Sequence, residues 1–296
     1  MKILLIDLDS KIPNLALMKI SAYHQSKGDE ISFNTGEKGY CSIIFQKSRK
    51  DIQKLLALKI PIEFGGVGYD PQIKLCKEIE SLKPDYSLYP NMDYSLGYTY
   101  RACPRRCPFC VVPKMSQDKT HHSIYEFWDP RHRKIRLLNN NTFADPLWKQ
   151  TFEEIIDNDL MLIDDGFDIR LLDDEKAFCL SKVRFAKQIH FAFDNLSDEL
   201  AVTSGIKLLE KYGVRAKRLM FYVLCGYNTT FEEDSYRVKL LKSLGVDPFI
   251  MLYHKSSVLL NEFARWVNRF YFKVSFKQFL VYRKSWRFVG GMKIEL

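Results

Sequence analysis

Tyr98-Thr-Tyr-Arg-Ala-Cys103-Pro-Arg-Arg-Cys107-Pro-Phe-Cys110-Val-Val-Pro113 packs three of the chain's seven cysteines into one short stretch, at C-x-x-x-C-x-x-C spacing. Three thiolates so spaced can turn inward on a common centre, and soft sulfur ligands select iron–sulfur clusters, zinc or copper(I) over hard cations. An iron–sulfur cube and a structural zinc each ordinarily take four protein ligands, so a triplet with no fourth cysteine nearby points to a centre with one open position.

Cys103, Cys107 and Cys110, with the aromatic Phe109 just before the last cysteine, resemble the signature of the radical S-adenosylmethionine (radical SAM) enzymes. The resemblance implies that the cysteines hold three irons of a 4Fe-4S cluster and that S-adenosylmethionine chelates the fourth. It also implies a partial (β/α)6 barrel, an external electron donor of flavodoxin or ferredoxin type, and a 5′-deoxyadenosyl radical that takes hydrogen from substrate. The same residues admit a second reading from another class. A Cys3His zinc site completed by His121 or His122 would make the chain a zinc-stabilised nucleic-acid-binding protein without catalysis. The other cysteines, Cys41, Cys76, Cys179 and Cys225, stand singly in apolar surroundings and read as reduced core residues, so neither a disulfide framework nor a second cluster is expected.

The formal net charge of +9 admits an anionic partner, and RNA or nucleoside modification is one outcome it allows. Basic residues gather around and after the cysteine loop (Arg101, Arg105, Arg106, Lys114, Lys119, Arg131, Arg133, Lys134, Arg136) and near the C-terminus (Arg265, Arg269, Lys273, Lys277, Arg283, Lys284, Arg287). A solvated charged face is the plainer explanation of both groups. No apolar run reaches about 18 residues, and aspartates interrupt the first apolar stretch. The expectation is a soluble, cytoplasmic protein with no membrane partner.

Upstream of the loop, residues 1–90 alternate strand and helix: strands at 2–7, 30–33, 40–45 and 60–64, helices from Pro13 to Gly28, at 51–58 and at 71–82. This reads as a small doubly wound parallel sheet. Placed ahead of a radical SAM core, it resembles the cobalamin-binding domain of such enzymes in layout. The loop after its first strand, Asp7-Leu-Asp9-Ser-Lys-Ile-Pro-Asn, lacks the histidine that would bind cobalt, so cobalamin is not expected.

Residues 91–255 read as the barrel, with strands at 95–101, 134–138, 167–171, 188–193, 218–226 and 248–253. α/β barrels keep their chemistry at the C-terminal strand ends, which is where these strands place the candidate groups. The Gly-Gly-Glu with which the family accepts from the cofactor's ammonium is absent here; under the resemblance the carbonyls of Asn139, Asn140 and Asn141 would substitute for it, while such a polar run also reads as an ordinary loop. Arg170 is the candidate clamp for its carboxylate, with a salt bridge to Asp168, Asp173 or Asp174 as the other reading. Asp194 and Asn195 suit ribose hydroxyls, Asn195 or Ser197 being equally suited to cap the next helix. Leu224-Cys225-Gly226 resembles the family's hydrophobic-x-Gly segment beside the adenine. Thr230 and Glu233 make a capping-box pattern. Residues 256–296 read as a helical extension packing on the barrel, with Phe263, Trp266, Val267 and Phe270 at helical spacing. Their interleaving with Arg265 and Arg269 also fits a stacking surface for single-stranded RNA.

Overall fold

The computed structural model describes residues 1–164 and 166–283. Compactness divides the chain into one unit of residues 1–140 and 144–162 and a second of residues 141–143 and 163 onward.

The first unit opens with β1 (Lys2–Asp7), α1 (Leu15–Ser26), β2 (Glu30–Ser32), β3 (Lys38–Ser42), α2 (Ile52–Leu56), β4 (Ile62–Gly65) and α3 (Lys77–Glu80). The strands form a parallel sheet in the order β2-β1-β3-β4. Helix α1 starts where the Asn14 side chain accepts from the Leu17 amide at 3.2 Å. Its apolar face buries Leu17 and Ile20 against Ile3, Leu5 and Tyr40 of the sheet.

Strand β3 stops earlier than the expected 40–45. The reason is Asp9, whose carboxylate accepts from the amides of Ile44 (2.7 Å) and Phe45 (2.9 Å) and so takes them out of the ladder. Gly66, at φ +95°, brings the loop after β4 so close to Ile43 that an added Cβ would sit 2.4 Å from its carbonyl oxygen. The helix expected over 71–82 shrinks to α3. Asp70 holds the preceding stretch in a turn by accepting from Gln72 (2.9 Å) with its side chain and from Ile73 (3.2 Å) with its carbonyl.

The first unit continues with β5 (Ser95–Gly97), β6 (Lys134–Leu137) and α4 (Trp148–Asp157), and ends within β7 (Met161–Asp164). β5 and β6 pair in parallel, Leu96 opposite Arg136. The Pro84–Pro90 stretch is packed: Tyr86 is buried and its hydroxyl donates to Phe127 O (2.5 Å) and accepts from the Leu96 amide (3.2 Å).

The second unit carries α5 (Asp174–Lys182), β8 (Arg184–Phe185), β9 (Ile189–Ala192), α6 (Glu199–Lys211), β10 (Leu219–Cys225), α7 (Phe231–Ser243), β11 (Asp247–Leu252), α8 (Val258–Asn268) and α9 (Phe276–Tyr282). β10 lies between β9 and β11, all parallel, and buries Leu219, Phe221, Val223 and Cys225 in strict alternation. The strand expected over 167–171 is absent. Phe167 makes a single parallel bridge to Phe191, and 169–171 is a 3-10 turn because the Asp168 carboxylate caps the Arg170 amide at 3.2 Å. Helix α7 has the anticipated capping box between Thr230 and Glu233. The architecture is α/β with parallel sheets, and no helix among the described residues is long and apolar enough to cross a membrane.

Candidate metal and cofactor site

In the first unit, β5 ends at Gly97 and the chain runs into the cysteine loop through Thr99, Tyr100 and Arg101. The ladder stops there because Asn139, just past the end of β6, takes over. Its Oδ1 accepts from the amides of Thr99 (2.8 Å) and Tyr100 (3.0 Å), and its Nδ2 donates to Thr99 Oγ1 (2.8 Å). Asn140 Nδ2 donates to the Arg101 carbonyl. Two of the three asparagines therefore brace the exit of β5, and their contacts with the loop's approach are what the structure brings together.

Cys103, Cys107 and Cys110 are all half-buried, as is Phe109. The Cys110 amide donates to the Cys107 carbonyl (3.0 Å), and the Val112 amide donates to Cys110 Sγ (3.4 Å). Gln117, which the sequence reading passed over, staples the loop: its Oε1 accepts from Cys103 N (3.0 Å) and its Nε2 donates to Val112 O (2.6 Å). Three accessible thiols on one loop are the right donors for a soft-metal centre. As placed, they do not converge: among the described residues no three His, Cys, Asp or Glu side chains form a metal-ligating group. The fit is one of donor type and spacing.

The two candidate zinc histidines face carboxylates instead. His121 Nδ1 pairs with the buried Asp145 at 2.6 Å, and His122 Nδ1 with Glu126 at 2.9 Å. Of the other cysteines, Cys41 and Cys225 are buried, and burial pushes the Cys41 thiol up to about 12 and raises that of Cys225 further. These thiols stay protonated and inert at neutral pH. Cys76, expected in the core, is exposed at the start of α3, and Cys179 is half-buried.

In the second unit, the Arg170 guanidinium lies on carboxylates: Nε meets Asp168 Oδ1 at 2.7 Å and Nη1 meets Asp198 Oδ2 at 3.4 Å. Buried Asn141 donates to Asp168 Oδ2 at 3.2 Å, so this residue joins the same cluster. Of the three acidic partners anticipated for Arg170, Asp168 is the one used, while Asp173 pairs with Lys176 and Asp174 with Lys211. Asp194 follows β9. Burial raises its carboxyl above the usual carboxylate range, against the pull of Arg237, Arg170 and a backbone hydrogen bond from Leu224. Asp194 and Leu224 thus meet at the C-terminal ends of β9 and β10. Asn195 is exposed and caps the turn before α6, its Oδ1 accepting from Ser197 N at 3.0 Å. Gly226 adopts φ +76° at the end of β10, and its amide donates to Asp234 at 3.1 Å.

Asp234 and Arg237 were also missed by the sequence reading. The available signal was their position: both fall on the face of α7 that buries Val238 and Leu241, where a charge requires a partner.

Several residues of the two basic groups are paired with acids: Arg101 with Glu80, Arg131 with Asp129, Lys134 with Asp93, and Arg265 and Arg283 with Glu262. Lys284 and Arg287 lie outside the described residues. Phe263 and Trp266 are buried against Phe276, so these two aromatics of the expected RNA-stacking face belong to the core, whereas Phe270, past the end of α8, is exposed. No family model matches the chain, and no curated protein matches it.

Proposed function

We propose that this chain is a radical SAM enzyme built on a partial (β/α)6 barrel, in which Cys103, Cys107 and Cys110 hold a 4Fe-4S cluster. The observation that carries the reading is the C-x-x-x-C-x-x-C loop, half-buried and leaving the C-terminal end of a parallel strand. With S-adenosylmethionine bound, the cluster supplies a 5′-deoxyadenosyl radical that takes hydrogen from substrate. The chain's own residues position and shield. Gln117, Asn139 and Asn140 brace the cysteine loop, while Asp194, Leu224 and Gly226 offer polar and backbone groups to the nucleoside part of the cofactor. The electron comes from a flavodoxin- or ferredoxin-type donor, and the net charge of +9 is compatible with an anionic substrate such as a nucleotide or RNA.

Anaerobic reconstitution followed by dithionite reduction tests the proposal. About four iron and about four sulfide per chain are expected, with 5′-deoxyadenosine released from S-adenosylmethionine. One zinc per chain with no sulfide and no cofactor cleavage overturns it in favour of a zinc-stabilised binding protein.

A further inference from the structure

Arg237 is the largest fully buried side chain described in the molecule, and its partner Asp234 is equally buried. Arg237 Nη2 reaches Asp234 Oδ1 at 2.5 Å and Leu224 O at 2.7 Å, while Nη1 donates to Phe193 O at 2.5 Å. Asp234 in turn accepts from Gly226 N at 3.1 Å and from Thr229 Oγ1 at 2.7 Å. One ion pair on the first turns of α7 therefore ties together the carbonyl just past the end of β9, that of the next-to-last residue of β10, and the turn that follows β10. Each of these backbone groups adjoins or belongs to a candidate cofactor residue: Phe193 precedes Asp194, and Leu224 and Gly226 are candidates themselves.

The arrangement is poor as a stability device. Buried ion pairs are often matched or bettered by apolar residues of similar volume. Arg237 also keeps its Nε–H buried with no hydrogen-bond partner among the described residues, which adds a desolvation cost. A planar fork is, however, well suited to holding two carbonyls and a carboxylate at fixed separation.

We infer that Asp234 and Arg237 are positioning residues, which hold the C-terminal ends of β9 and β10 so that Asp194, Leu224 and Gly226 keep the placement a bound nucleoside requires. The nucleoside part of this inference rests on the function proposed above.

The test uses the full chain with Asp234→Leu and Arg237→Met combined, which removes both charges of the pair while Arg170 remains beside Asp194. The melting temperature should stay within a few degrees of wild type. Amide hydrogen exchange should rise by about tenfold or more at residues 193–195 and 224–229 while staying unchanged at 190–192 and 220–223. Exchange that is unchanged at the strand ends, or raised equally along both strands, overturns the inference. Should the double variant fail to fold, Arg237→Lys keeps the charge but cannot span both carbonyls, and the same exchange pattern is read from it. Titration with 5′-deoxyadenosine should show affinity falling by about tenfold or more in the same variant; raised exchange with unchanged affinity overturns the link to the ligand. A wild-type chain that binds no 5′-deoxyadenosine defeats the proposed cofactor site, while the exchange pattern still decides the positioning role.

Discussion

At Arg170 two carboxylates, Asp168 and Asp198, share one guanidinium whose side chain is 28% exposed. Replacing it with Met leaves the nearly buried Asp168 without its countercharge, at an expected cost of roughly 1–3 kcal/mol. That corresponds to a fall of about 2–4 °C in melting temperature for each kcal/mol. Because Nε and Nη1 already face carboxylates, affinity for S-adenosylmethionine should change less than about threefold, under 0.7 kcal/mol; a loss of about tenfold or more would return Arg170 to the cofactor site. The cysteines divide by environment in the same way. Cys103→Ala, Cys107→Ala and Cys110→Ala should each abolish iron and sulfide uptake, whereas Cys41→Ala, at a buried thiol held protonated, should leave both intact. Full metal content in any of the three loop variants removes that cysteine from the ligand set. The loop itself was legible from residue type and spacing alone. Its staple, Gln117, was not, because a glutamine's partners depend on where the loop folds back.

Strand β5 is the element that delivers the cysteine loop, and it is only three residues long. It was expected to run to residue 101, since Tyr98–Arg101 is as compatible with a strand as Ser95–Gly97. Asn139 ends it by capturing the Thr99 and Tyr100 amides, a contact across about forty residues that no local pattern encodes. Gly97 closes the strand under the ring of Phe127, where a Cβ would lie 2.2 Å from the nearest ring atom. Gly97→Ala should therefore overpack this exit and cost about 1–3 kcal/mol, read as a lower melting temperature with slower iron uptake by the loop. An unchanged melting temperature would mean that Phe127 moves freely and that the exit is not tightly set. Helix α7 was read more completely, because its Thr230–Glu233 capping box lies within four consecutive residues.

Across the whole molecule, stability in acid follows from carboxylates that fold into hydrogen-bonded positions. The Arg131 guanidinium beside Asp129 is the main reason its carboxyl falls from the usual 3.8 to about 2. Burial alone would raise Asp9, but Ser48 and the Ile44 and Phe45 amides together bring it below its usual value. For groups depressed in the folded state, the stabilisation is fully present above the unfolded value near 4 and is lost as pH falls through the folded value. The melting temperature should therefore drop between about pH 4 and pH 2. Asp9→Asn should lower it at neutral pH and flatten that acid limb, and an acid limb identical to wild type would exclude Asp9 as a contributor. The alternation of strand and helix, the parallel sheets and the three-cysteine loop follow from hydrophobic periodicity, turn residues and motif spacing, all of which act over a few neighbouring positions. Only the tertiary structure decided that Asp9 would end β3 from 35 residues away. It alone set Arg170 against Asp198 at a separation of 28 residues, and Arg237 beneath Phe193 at 44. A charge finds its partner by where the packed elements place it, and a chain's order does not carry that distance.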